Sequence, residues 1–240
     1  MNSFFVFEPT GGTTLFSPLH LMWLWNTLFL CIWSGYMARR GHCAARAAAL
    51  LLLLAEFFRV LTLFICGRLD TGFLPFHLCG AAVYVCLFHE AQCGQLAGEL
   101  IYSTLAPGAL TALLFPDWLH YPAGSFLFLS SFGIHMLICA YSAAMLCSGL
   151  FHPSPQRLPL CSFILSLYGL AVYGMDRLLR VNYLFLLFPA ADSPLEWAAA
   201  VLPWHGLLYF PALALVWGAL YSHPVLRLIQ KGVPDPARLR

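Results

Sequence analysis

Glu56 and Arg59 stand three residues apart within one apolar run of this chain. His77 and Cys79 stand two apart at the start of another, and His135 lies midway along a third. Hydrocarbon penalises each such polar or ionisable group, so each needs a partner or a purpose. A thiol with an imidazole in reach is a working acyl-transfer pair, because the base raises the thiolate fraction. Residues two apart on a helix point about 200° away from each other. His77 and Cys79 therefore do not serve each other, and His135 is the candidate base for Cys79. Glu56 and Arg59 share a helix face and can pair. The same residues also read as a neutralised ion pair, a hydrogen-bonded packing histidine and an inert buried cysteine. Asn182 and Tyr183 follow Arg180, and Pro203-Trp204-His205 opens a late apolar run, positions that suit interfacial anchoring. Asp117 follows Phe115-Pro116 and reads as a loop residue.

The elements that must carry these groups are membrane helices. Of 240 residues, 61% are hydrophobic and 9% charged, where soluble domains carry about a quarter charged residues. A bilayer-spanning helix takes roughly 17–25 apolar residues. That ruler gives seven segments, at about 19–37, 46–66, 74–90, 96–115, 126–150, 158–179 and 199–222. The expected fold is a single all-α domain of seven spans occupying residues 1–240, with a short basic tail at 223–240. Pro75 suits the first turn of the third span, and Pro107-Gly108 interrupts the fourth, a break that could free backbone carbonyls.

Loop charges set the expected orientation. Seven spans put Arg39, Arg40, Arg46, Arg157, Arg227, Lys231, Arg238 and Arg240 on one side, against Arg68, Arg177 and Arg180 on the other. Such a bias places the N-terminus outside and the tail in the cytoplasm. Demoting residues 74–90 to a re-entrant piece removes the bias. The first eighteen residues contain Glu8 and no basic stretch, unlike a cleavable signal peptide.

Composition also excludes classes of function. Net charge is +2, with no basic stripe, so nucleic acid is not an expected partner. The nine cysteines form no C-x-x-C pair and no zinc-type spacing with histidine. There is no nucleotide-binding loop, so neither cofactor nor metal is expected, and membrane lipids are the expected partners. Cys79, Cys86 and Cys93 recur every seven residues, as a packing seam would, and Gly94 and Gly98 form a Gly-x-x-x-Gly at a span boundary. Oligomeric state is not legible from it.

Four blocks carry a resemblance: Thr14-Leu15-Phe16-Ser17-Pro18-Leu19-His20, Leu74-Pro75-Phe76-His77-Leu78-Cys79, Gly108-Ala109-Leu110-Thr111-Ala112-Leu113-Leu114-Phe115-Pro116-Asp117 and Asn182-Tyr183-Leu184-Phe185-Leu186. In this order they resemble the YwaF-like bacterial integral membrane proteins. More distantly they are similar to eukaryotic transmembrane protein 164. The first resemblance implies a bacterial cytoplasmic membrane. The second implies a membrane acyltransferase that moves an acyl chain onto a lysophospholipid with a cysteine nucleophile and a histidine. Its histidine falls on His135. Its cysteine falls on Phe76, and Cys79 stands one helical turn further on.

Three functions follow. In a phospholipid acyltransferase or acyl hydrolase, Cys79 attacks, His135 serves as base then acid, His77 joins this catalytic set, His77 or the Glu56/Arg59 pair orients the headgroup, and Asn182 also binds substrate. In a small-solute carrier or channel, Glu56, Arg59 and His135 line a water-filled path. In a non-catalytic membrane factor, the basic tail contacts anionic headgroups.

Overall fold

The computed structural model describes residues 3–226 apart from 42, 150, 192, 203 and 224. Arg227, Lys231, Arg238, Arg240 and Pro203, on which sequence expectations rest, lie outside the described residues. Among those described, the fold is all-helical. The long helices are α1 (Pro18–Ala38), α2 (Cys43–Ile65) and α3 (Leu78–Gln92). After them α4 (Gln95–Leu100) runs through a π-helical turn (Ile101–Leu105) into α5 (Ala106–Leu114). Then come α6 (Phe126–Ser148) and α7 (Leu158–Leu179), a short α8 (Pro194–Ala199) and α9 (Tyr209–Leu220).

The pattern of burial is that of a protein whose solvent is lipid. On α1 the buried residues are small or polar, among them Thr27, Ser34, Gly35 and Ala38, while Trp25, Phe29, Ile32 and Trp33 face out. A soluble helix does the reverse. The first half of α2 buries Ala45, Ala48, Ala49 and Leu52, a stripe at helical spacing that lets backbones approach closely. Glu56 continues that stripe one turn on, which is why it points inward. Four helical stretches are long and apolar enough to cross a membrane: Cys43–Ile65, Thr71–Gln92, Phe126–Ser148 and Pro155–Leu179. The chain is therefore an integral membrane protein.

At the centre stands α6, against which α1, α2, α3 and α5 all pack. Its Phe132, Ile138, Tyr141, Ala144 and Met145 are fully buried. Close approach at two points depends on glycine. A Cβ on Gly35 would stand 2.9 Å from the Cys147 sulfur of α6, and one on Gly98 would collide with the Phe151 ring. Gly98 thus serves packing inside the chain.

Two expectations change. The seventh apolar segment is not one span-length helix. It breaks after α8 and resumes as a 3-10 turn (His205–Leu208) leading into the twelve residues of α9. His205 and Trp204 turn their ring nitrogens onto the preceding loop, and Gly206 lies against the Trp204 ring. The Pro107-Gly108 break, in turn, opens no gap. Pro107 offers no N–H to the turn before it, and the Ser103 carbonyl there accepts a hydrogen bond of 3.0 Å from Trp217 Nε1 on α9. Tyr102 donates to the Leu220 carbonyl at 2.7 Å and closes the same seam.

The opposite end of the bundle from His77 is held by Glu99, which is fully buried. It accepts from Arg157 Nη1 at 2.7 Å, from the Ser154 N–H and from the Tyr221 hydroxyl. A single carboxylate thereby joins α4, the start of α7 and the end of α9.

Trp217→Phe, which keeps the ring but removes the donor to Ser103, is expected to destabilise the protein by about 1–3 kcal/mol. Trp25→Phe on the lipid-facing side of α1 should change little. Thermal unfolding of the two variants in the same detergent makes the comparison.

Candidate functional site

The polar residues of the other end converge from α2, α3, α6 and the loops between them. Arg59 donates to Glu56 through Nε (2.9 Å) and Nη2 (2.7 Å), a fork-to-fork pair from one face of α2. The Glu56 side chain is 6% exposed and that of Arg59 14%. The pair therefore sits inside the bundle wall rather than on the lipid face. Arg59 lies within Coulombic reach of Cys79, His77 and His135. Asp117, exposed in the loop after α5, reaches the same three residues.

His135 projects from α6 at a depth where it is almost wholly buried. Its Nδ1 donates to the Ser131 carbonyl one turn back at 2.7 Å, and its ring stacks on Trp118 at 4.6 Å between centroids. A carbonyl only accepts, so Nδ1 carries the proton and the neutral ring presents its lone pair at Nε2. Trp118 stands edge-on to Phe132, 5.3 Å away, which fixes the stack in turn.

Cys79 lies in the first turn of α3 and is partly accessible. Among the described residues Cys79 and His135 share the field of Arg59 and Asp117 but do not hydrogen-bond to each other. Phe76, the residue before His77, stacks edge-on with Tyr183 at 5.5 Å, and its carbonyl accepts from the Tyr168 hydroxyl of α7 at 2.7 Å.

His77 is engaged differently. Its Nδ1 lies 2.8 Å from the Tyr183 carbonyl and its Nε2 3.1 Å from the Gly72 carbonyl. Both partners are acceptors, so both contacts are satisfied together only in the doubly protonated ring. His77 ties the start of α3 to the loop after α7. Asn182 is also committed to backbone: its amide donates to the Phe188 carbonyl at 2.7 Å and accepts from the Leu187 N–H at 3.1 Å. Glu56 and Arg59 thus pair on α2, the Arg59 charge acts on His77, Cys79 and His135, and Asn182 shapes the loop after α7.

Sequence reasoning missed Asp176 and placed Asp117 without a role. Asp176 is fully buried on α7, accepts from the Tyr183 N–H at 2.9 Å through Oδ1, and leaves Oδ2 without a partner among the described residues. Its position is legible only as one more carboxylate near the end of an apolar run. Among the described residues no cluster of metal-ligating side chains is present.

Residues 15–221 match the model of the TMEM164 family, which spans most of the chain, and the protein belongs to that family. No curated protein matches the sequence, and no solved structure does.

Because Arg59 has its countercharge inside the bundle, Glu56→Ala is expected to cost roughly 3–5 kcal/mol, as removal of one partner of a buried pair does. The double variant Glu56→Ala/Arg59→Leu should recover much of that loss. Denaturant unfolding in mixed micelles reads both, and equal losses in the two proteins would contradict the pairing.

Proposed function

We propose that this member of the TMEM164 family moves phospholipid acyl chains, using Cys79 as nucleophile and His135 as general base. The single observation that carries this is the His135 tautomer. The Ser131 carbonyl holds Nδ1–H, which leaves Nε2 as the basic nitrogen, and Cys79 in the first turn of α3 lies in the field of the same Arg59 and Asp117. The Cys79 proton passes to His135 Nε2 as the sulfur attacks the ester carbonyl carbon of a phospholipid. The ester C–O bond breaks, and His135 returns the proton to the departing lysophospholipid oxygen. The hydroxyl of a second lysophospholipid, or water, then attacks the thioester carbonyl as His135 Nε2 takes its proton; the C–S bond breaks and the proton returns to the Cys79 sulfur, giving transfer or hydrolysis. All reactants are lipid or water, and no cofactor enters.

The remaining groups position the lipid. The Arg59 guanidinium, held by Glu56, is the fixed cation in this reading and offers its remaining donors to a phosphate. His77 braces α3 against the loop at residues 182–188 and acts as a positioning residue.

The topology that goes with this reading is seven spans, with the N-terminus outside and the C-terminus in the cytoplasm. Beyond the four long apolar stretches, α1 supplies 21 uncharged residues, α4 to α5 forms one helical rod, and α9 closes the bundle at the Glu99 end. The Cys79 centre then lies in the extracytoplasmic half of a cell membrane. Likeness to the YwaF-like proteins adds a bacterial cytoplasmic membrane to the same proposal.

Purified protein incubated with diacyl phospholipid is expected to gain the mass of one acyl chain, removable by hydroxylamine. Cys79→Ala should abolish the adduct, and His135→Ala should slow its formation by about 10²–10⁴. An adduct that persists in Cys79→Ala would assign the nucleophile elsewhere. No adduct and no acyl exchange in the wild type would reject acyl transfer in favour of transport or lipid binding.

A further inference from the structure

Residues 182–188 join α7 to α8 without regular structure, yet five of the seven are Leu or Phe. Side chains capture almost every carbonyl of this stretch. His77 takes that of Tyr183, Tyr209 that of Leu184 and His205 that of Phe185. Trp204 takes that of Leu186 and Asn182 that of Phe188. Five of the six carbonyls in residues 183–188 are thus bonded to a side chain. Among the described residues, side chains take only two of the N–H groups in the same stretch, those of Tyr183 (by Asp176) and Leu187 (by Asn182). The Tyr183 hydroxyl pins the loop to the Thr71 carbonyl, and Phe185 is held at a φ of 53°, a conformation such side chains rarely adopt.

A loop in water needs no such provision, because water donates to carbonyls and accepts from N–H groups alike. Phospholipid does not. The ester and phosphate oxygens of phosphatidylcholine accept hydrogen bonds, and the molecule has no N–H or O–H to donate. Backbone carbonyls at that depth must find donors within the protein, whereas N–H groups can donate to lipid oxygens. The observed asymmetry between carbonyls and N–H groups is the one this chemistry demands.

The surface around the loop agrees. Leu178 at the end of α7 is 81% exposed, Phe188 60%, Trp197 72% and Val201 81%, continuing the lipid-facing side of α7 defined by Phe163, Leu167 and Leu170. From this continuity and the captured carbonyls we infer that residues 182–188 lie immersed at the boundary between lipid esters and acyl chains. There they form a lipid-binding lip whose N–H groups donate to glycerophospholipid oxygens. Immersion of the loop does not depend on any chemistry at Cys79.

The test uses the full chain in phosphatidylcholine vesicles, with Cys43, Cys66 and Cys93 replaced by Ala. An environment-sensitive nitrobenzoxadiazole label is placed through Phe188→Cys, with Val201→Cys as a second position and Glu8→Cys as the aqueous reference. The same chain without these three substitutions gives the background. Doxyl-labelled phosphatidylcholine should quench positions 188 and 201 more strongly than iodide does, and position 8 less. Iodide quenching at 188 and 201 equal to that at 8 would overturn the inference. Trp204→Phe, which releases the Leu186 carbonyl while keeping an aromatic ring, should raise iodide quenching at 188 by about twofold as the loop moves toward water. No change in that variant would overturn the role given to the captured carbonyls.

Discussion

Hydrocarbon supplies neither donors nor acceptors, and the architecture of this chain follows from the ways its buried polar groups meet that demand within the protein. Glu56 and Arg59 meet it as a forked pair on the inward stripe of α2. The Ser103 carbonyl, in the turn before Pro107, meets it through Trp217 of a helix more than a hundred residues away. Glu99 meets it by gathering Arg157, Ser154 and Tyr221 around one carboxylate. The bonds of Ser103 and Glu99 also fix how the helices sit, since each joins elements that apolar packing alone would leave free to slide.

The same demand organises the candidate site. His135 would be one more satisfied core histidine if both ring nitrogens were occupied, as they are in His20, which accepts from the Phe16 N–H and donates to the Leu113 carbonyl. Among the described residues only Nδ1 of His135 has a hydrogen-bond partner, which leaves Nε2 as the basic nitrogen in the field of a buried cation and an exposed carboxylate. His77, with both nitrogens on carbonyls, belongs with His20 as a brace. Of these three histidines two position and His135 keeps one ring nitrogen open, as His89 does where its other nitrogen meets Tyr141.

The helical class and the inward pair Glu56/Arg59 were legible because hydropathy and the three-residue spacing are local signals. The long separations were not. Nothing near His77 announces that Tyr183, 106 residues later, offers it a carbonyl, and nothing near Asp176 marks it as the anchor of that same residue. The seventh apolar segment misled for a related reason: hydropathy counts Leu207 and Trp204 as span-forming and is blind to a Trp204 ring nitrogen that turns aside to hold a loop. Pro107 invited the inference of an open carbonyl, and only the fold reveals Trp217 standing over it. Resemblance added a catalytic role for His135 while placing the family's cysteine on Phe76; the choice of Cys79 came from the residues themselves.

The central claim is that Cys79 and His135 belong to one centre in which the imidazole governs the thiol. It is tested most directly by the rate at which the peptide bearing Cys79 is alkylated by N-ethylmaleimide, which needs no lipid substrate. His135→Gln, in protein that remains folded by thermal unfolding, is predicted to slow that reaction about tenfold or more by removing the base that raises the thiolate fraction. An unchanged rate at Cys79 would contradict the account, leaving His135 a packing residue and the thiol without its partner.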